Sequence, residues 1–192
     1  MSNLLFKHIQ KFATVSESDF ADILNFFEPI SAKKKEILLS EGQICRRHFF
    51  VLKGCLRLFY VKETGAEQTT QFGIESWWMT DNLAFLEQKP SAFSIQAVEQ
   101  SEVLSINYDA QEKMLAKHPQ MERYFRRVFE KSFAAAQLRI KYINEYSSEE
   151  LYFHFAHSQP AFLQRVPQYL LASYLGFTPE YLSEIKKKHF GK

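Results

Sequence analysis

The chain has 192 residues, 46% hydrophobic and 24% charged, an ordinary globular profile that suits one large domain or two small ones. Net charge is only +2, which does not by itself argue for nucleic acid, and no apolar run approaches the roughly 20 residues that span a bilayer. Cys45 and Cys55 stand outside any CxxC pair, and Met1 to Gln10 lack a basic start with a long apolar stretch, so the expectation is a cytoplasmic chain with two buried, reduced thiols and neither disulfide framework nor zinc site.

The first segment, from Asn3 to about Phe27, carries helical signals. Ser16-Glu17-Ser18-Asp19 forms an N-cap region before Phe20, Ile23, Leu24 and Phe27, and Pro29 is expected to end that helix. A different period follows. Residues 36–39, 48–52, 56–62, 67–72, 93–98 and 103–107 are short runs rich in β-branched or aromatic side chains. Gly42, Gly54, Gly65, Gly73 and Pro90 punctuate them, as in an antiparallel sandwich or barrel. Gly54 and Thr64-Gly65 fit tight hairpin corners.

After Tyr108 the signal turns helical and stays so. Between Pro119 and Ile143 the stripe Met121, Phe125, Val128, Ser132, Ala136, Ile140, Ile143 advances in steps of three or four, with charged residues between and no Gly or Pro. At about 1.5 Å per residue this helix runs well over 30 Å. It serves either as a dimer seam or as packing against its own β domain; the stripe outruns what a small domain covers, which favours the seam. Ser147, with Glu150 three residues on, forms a capping box for a further helix that stops near Pro160.

The end of the chain reads as two short helices around a glycine turn. Pro167 opens the first, and Leu170, Leu171, Tyr174 and Leu175 fall at helical spacing. Gly176 ends it in the left-handed conformation; Thr178 is the N-cap of the second helix, Pro179 its first residue and Glu180 a first-turn acid. From Gln159 to Lys192 there are five Lys/Arg (Arg165, Lys186, Lys187, Lys188, Lys192) against two Glu. That is the plan of a helix-turn-helix with a basic tail, whose second helix enters the DNA major groove. An ordinary αα-hairpin with a solvated helix end has the same local signals.

Taken together, these parts resemble the CRP/FNR family of bacterial transcription regulators. The resemblance rests on Phe49-Phe50-Val51-Leu52-Lys53-Gly54-Cys55-Leu56-Arg57-Leu58-Phe59, with its FxxxGxxR-type motif, and on Tyr169 to Lys188. Phe72, Trp77, Asp81, Phe85, Pro90-Ser91 and Ile95-Gln96-Ala97-Val98-Glu99 look like its divergent branch typical of Bacteroidetes. The implied fold is α+β: an N-terminal double-stranded antiparallel β-roll (jelly-roll, cyclic-nucleotide-binding-like) over 1–116, a long dimerisation helix over 117–144, and a helix-turn-helix domain over 145–192. The chain stops before the β-hairpin wing many members carry.

Family members bind an effector in the roll, often a cyclic nucleotide, through a Gly-Glu pair and an Arg-Ser pair. These positions become Thr80-Asp81, followed by Asn82, and Ser91-Ala92. A serine hydroxyl lacks the bidentate, permanently charged grip of a guanidinium, so binding of cyclic AMP in the family manner is not expected. Trp77, Trp78, Met79, Phe85 and Phe93 would make the pocket apolar, leaving it open to another effector or filled by its own side chains. Iron–sulfur sensing lacks its cysteines, and the six scattered histidines give no haem signal.

At the DNA end the resemblance implies contacts from Thr178, Pro179, Glu180, Tyr181, Ser183, Lys187 and Lys188, with Glu180 accepting from a cytosine amino group. Glu184 stands where an Arg is expected. Three functions compete: a dimeric regulator of double-stranded DNA with an unidentified effector and no cofactor; a ligand- or protein-binding module keeping a vestigial helix-turn-helix; and a cupin-like enzyme, disfavoured because no HxH or nucleophile–base arrangement occurs.

Overall fold

The computed structural model describes residues 3–190; Lys192 lies outside them, as does the side chain of His189. The chain divides into two compact units. One takes the chain up to Tyr60 with Gln71–Lys131, the other Val61–Thr70 with the chain from Ser132 onward.

In the first unit, α1 (Asn3–Gln10) and α2 (Glu17–Leu24) precede the strands. Ser16 caps α2 by accepting the Asp19 N–H at 3.0 Å. Two four-stranded sheets follow. One has the order β1 (Glu28–Ala32), β8 (Ser101–Asn107), β3 (Arg47–Lys53), β6 (Trp78–Met79); the other has β2 (Ile37–Leu39), β7 (Ser94–Ala97), β4 (Leu56–Val61), β5 (Glu67–Gly73). Helix α3 (Asn82–Glu87) lies between β6 and β7 in the chain. After β8 come α4 (Tyr108–Lys117) and α5 (Gln120–Glu145).

Alternation along β3 sets the layers. Phe49 and Val51 join Leu56, Leu58, Ile95 and Val103 in one buried cluster between the sheets. Phe50 faces the other way, into a second cluster with Trp78 of β6 and with Leu5, Ile9, Ile23, Met114, Tyr124 and Phe125 from the helices. Gly54 turns β3 into β4 at φ +102°, and a Cβ there would come within 2.7 Å of the Ser101 Cα, so glycine is required twice over. Three residues later the buried Arg57 donates from Nε to Gln96 Oε1 at 2.8 Å and lies over the Phe59 ring at 3.9 Å.

In the second unit α6 (Ser148–Ser158), α7 (Pro160–Arg165), α8 (Gln168–Leu175) and α9 (Pro179–Phe190) follow the last turns of α5. The Ser147–Glu150 capping box forms as expected. Tyr152, Phe162, Leu170, Leu171, Leu182 and Ile185 are buried there.

One local expectation changes. Pro29 does not close a helix but sits in β1, an edge strand of its sheet, where its missing N–H breaks no second ladder. The helix after Ser147 stops at Ser158, near Pro160 as expected, and Pro160 then starts the further helix α7. Pro167 occupies the N-cap of α8, one position ahead of its first turn. The two-residue strand β6 was also illegible, being too short to show a period.

Candidate functional site

The four positions corresponding to the family's phosphate-binding pairs converge in the roll. Asp81 is buried and caps α3: its Oδ1 accepts the Ala84 N–H at 3.2 Å. Its Oδ2 accepts the Ala92 N–H at 3.0 Å and the Ser91 hydroxyl at 2.9 Å. Ser91 is buried as well, and its Oγ accepts the Phe93 N–H at 3.1 Å. Thr80 donates to the Arg47 carbonyl at 2.9 Å and meets Cys45 Sγ at 3.1 Å. Asn82 is exposed on the first turn of α3. The chain's own carboxylate therefore takes the donors at this corner of the roll, and among the described residues no guanidinium joins them.

The apolar residues expected around the pocket are mostly core. Trp78 packs at 5.2 Å from Phe50 and 5.1 Å from Phe125, with its Nε1–H donated to Tyr124 Oη at 2.8 Å. Tyr124 Oη in turn lies 2.7 Å from His8 Nδ1. Burial, with Lys11 and Lys131 beside it, lowers the His8 pKa to about 4, so the neutral ring accepts the tyrosine proton. His48, wholly enclosed by Trp78, Phe85, Phe125 and Phe129, is likewise lowered to about 4 by burial. Met79 and Phe85 fill the inter-sheet cluster, Phe93 packs against its edge, and Trp77 is exposed.

In α5 the apolar stripe divides. Met121, Tyr124, Phe125 and Val128 are buried in the first unit. From Phe129 onward the apolar side chains Phe129, Phe133, Leu138, Ile140 and Ile143 are 41–66% exposed.

The terminal hairpin forms around Gly176 at φ +82°, whose N–H returns to the Ser173 carbonyl. The last carbonyls of α8 are satisfied from outside the helix: Arg139 donates to the Tyr174 carbonyl at 2.7 Å and stacks on its ring at 4.0 Å. Ser173 Oγ accepts the Thr69 N–H and donates to the Glu67 carbonyl, both at 2.8 Å. Thr178 caps α9 by accepting the Tyr181 N–H at 3.2 Å. Leu182 and Ile185 are buried, while Thr178, Pro179, Glu180, Tyr181, Glu184 and Lys187 are exposed. Helical spacing places Glu180, Glu184 and Lys187 on one side. Two expected contact residues have partners inside the unit. Ser183 Oγ accepts from Gln168 Nε2 at 2.8 Å, and Lys188 Nζ pairs with Glu149 Oε1 at 2.7 Å, which raises the lysine pKa. Neither partner is legible in the sequence, because each lies far away along the chain.

A β-roll, a long helix and a terminal helix-turn-helix follow one another along the chain, an order of parts found in known regulatory proteins. The comparisons agree. The cyclic nucleotide-binding domain family matches residues 29–118. The chain is 24% identical over 186 residues to the regulatory protein HlyX of Actinobacillus pleuropneumoniae, covering 90% of this chain and 76% of that one. FixK2 from Bradyrhizobium japonicum has the same fold at a TM-score of 0.69 and 15% identity, over 84% of this chain and 83% of that one. So does CLP of Xanthomonas campestris, a c-di-GMP responsive global regulator, at a TM-score of 0.73 and 13% identity, over 90% and 91%. The chain thus shares the fold of these proteins, with its roll matching the cyclic nucleotide-binding domain family. Among the described residues no helix is long and apolar enough to cross a membrane.

Proposed function

We propose that the chain is a DNA-binding transcription regulator acting in the cytoplasm as a homodimer. The observation that carries this reading is the hairpin α8–Gly176–α9, with Thr178 capping α9 and its outer side uncovered. Residues 1–116 are the effector-type domain, 117–144 the dimerisation helix and 145–192 the reading domain. Thr178, Pro179, Glu180 and Tyr181 meet the groove with Ser183, and Lys187 and Lys188 meet phosphates. Two copies pair through the exposed half of α5, which sets two reading helices on a pseudo-palindromic site.

The roll of this chain does not take cyclic AMP in the family manner. Asp81 already holds the Ala84 and Ala92 N–H groups and the Ser91 hydroxyl, and a second anion beside it would be repelled. Isothermal titration with cyclic AMP and cyclic GMP tests this: no binding heat is expected, and micromolar binding by either overturns it.

One observation favours a second reading, a ligand- or protein-binding module with a vestigial helix-turn-helix. The uncovered side of α9 sets Glu180 and Glu184 against Lys187, and Lys188 is tied to Glu149. Capture of genomic fragments by the purified protein, followed by footprinting, separates the two. Enrichment of a shared inverted repeat supports the regulator; uniform recovery of all fragments leaves only the module.

A further inference from the structure

The roll corner is occupied from within, but the first unit has a second concave feature that is not. Between the end of α1 and the middle of α5 lies a cleft of about 340 Å³ lined by Lys11, Phe12, Arg123, Arg127, Glu130 and Lys131. That volume falls at the small end of sites that enclose small-molecule ligands. Four cations line it against one carboxylate. That carboxylate is spent: Glu130 Oε1 accepts from Arg126 at 2.7 Å and Oε2 from Arg127 at 2.9 Å. Among the described residues no carboxylate pairs with Lys11, Arg123 or Lys131.

Lys11 alone could be explained as a cation offsetting the carbonyl end of α1. Arg123, Arg127 and Lys131 cannot, since they lie in the first half of a 26-residue helix at steps of four, far from its carbonyl end. Like charges at that spacing cost stability unless an anion lies among them. The uncompensated field reaches the protein interior: after burial, Lys11 and Lys131 are what hold the neighbouring His8 neutral. Lys131 Nζ lies over the Phe12 ring at 4.7 Å, so the ring floors the cleft and orients one cation.

We infer that this cleft is a binding site for a small polyphosphate anion, with Lys11, Arg123, Arg127 and Lys131 as its ligands. The guanidinium groups suit bidentate phosphate contact, and the lysines, one after α1 and one on α5, supply point charge. A concave site of this size encloses a small anion on several sides, whereas a DNA backbone meets convex or grooved surface along many phosphates. Helical spacing puts these cations on the side of α5 away from Phe129, Phe133 and Ile140, so pairing through that seam leaves the cleft open. The inference does not rest on DNA recognition by α9.

The test is calorimetric titration of the full chain with inorganic tripolyphosphate at low salt, beside a thermal melt. Saturable binding is expected, weakened at least about tenfold in the Lys11→Gln/Arg123→Gln double variant, a change well above calorimetric error. Lys131→Gln alone, a side chain exposed on one helix, should weaken it severalfold and serves if the double variant melts early. Lys187→Gln/Lys188→Gln, which carries the charge of the terminal helix, should leave it unchanged. No saturable binding overturns the site. So does binding that survives both cleft variants, or that is lost only with Lys187 and Lys188. Binding of a DNA duplex that depends on Lys11 and Arg123 without any tripolyphosphate binding likewise overturns it, in favour of a nucleic-acid surface.

Discussion

His48 shows how far one side chain's surroundings decide its chemistry. It sits in β3 with aromatic rings on every side, and Gln111 Oε1 at 3.5 Å is its polar neighbour. Burial lowers its pKa from the ordinary 6.5 to about 4, as it does for His8. The unfolded chain therefore takes up these protons first as pH falls, so stability is complete above about pH 6.5 and is lost as pH drops toward about 4. Urea denaturation at pH 7 and pH 5 should show the difference, and His48→Phe should flatten the slope between them. Gly54 makes a second prediction. Gly54→Ala forces a side chain into positive φ and against Ser101, and should cost about 2 kcal/mol or more, read from the urea midpoint. Much at this scale was legible in the sequence: Gly54, Gly176, and the caps at Ser16, Ser147 and Thr178 all act as their residue types imply. What Asp81 does was not, because its partners Ser91 and Ala92 are brought to it only by the closure of the roll.

Among the elements, α9 is the one that would read DNA under the proposed function. Its uncovered side is electronegative where phosphates would then approach, with Glu180 and Glu184 one turn apart and unfavourable to each other. Glu184→Gln should raise affinity for duplex DNA severalfold, and Lys187→Ala should lower it for all sequences and flatten the salt slope by about one unit. Both are measured by fluorescence anisotropy across a salt series. If Glu184→Gln leaves affinity unchanged, that side of α9 does not face the backbone. Periodicity alone displayed α5 as one amphipathic stripe, because burial and exposure of apolar residues look alike in a sequence. The structure divides it: Met121, Phe125 and Val128 belong to a core, and Phe133, Ile140 and Ile143 to the surface. The short elements β6 and α7 left too few residues for any period, and Pro160 punctuates the start of one helix as readily as the end of another.

For the whole molecule the unfinished surface is the exposed half of α5. Four large apolar side chains on one side of α5, Phe129, Phe133, Ile140 and Ile143, are unusual for a monomer and suited to a seam. Phe133→Glu with Ile140→Glu should convert a dimer to a monomer in sedimentation equilibrium while leaving the far-ultraviolet dichroism unchanged. The same variant should lose DNA binding, since a single reading helix gives up the second half-site. A wild-type chain that sediments as a monomer at micromolar concentration removes the seam. The order of the elements along the chain, short strands then a long helix then the terminal hairpin, was the most legible level of all, because turn residues and a change of period separate them.

The carboxylate of Asp81 also has a thermodynamic standing unlike that of any dissolved effector. It is tethered beside its donors, so its local concentration is fixed by the chain and does not fall on dilution. A free anion arriving at that corner competes with an intramolecular rival that never leaves the neighbourhood. If that rival prevails, as the proposed function has it, occupancy there carries no information about the supply of any solute. The corner would then be held as a constant, and an effector would have to be sensed elsewhere on the molecule.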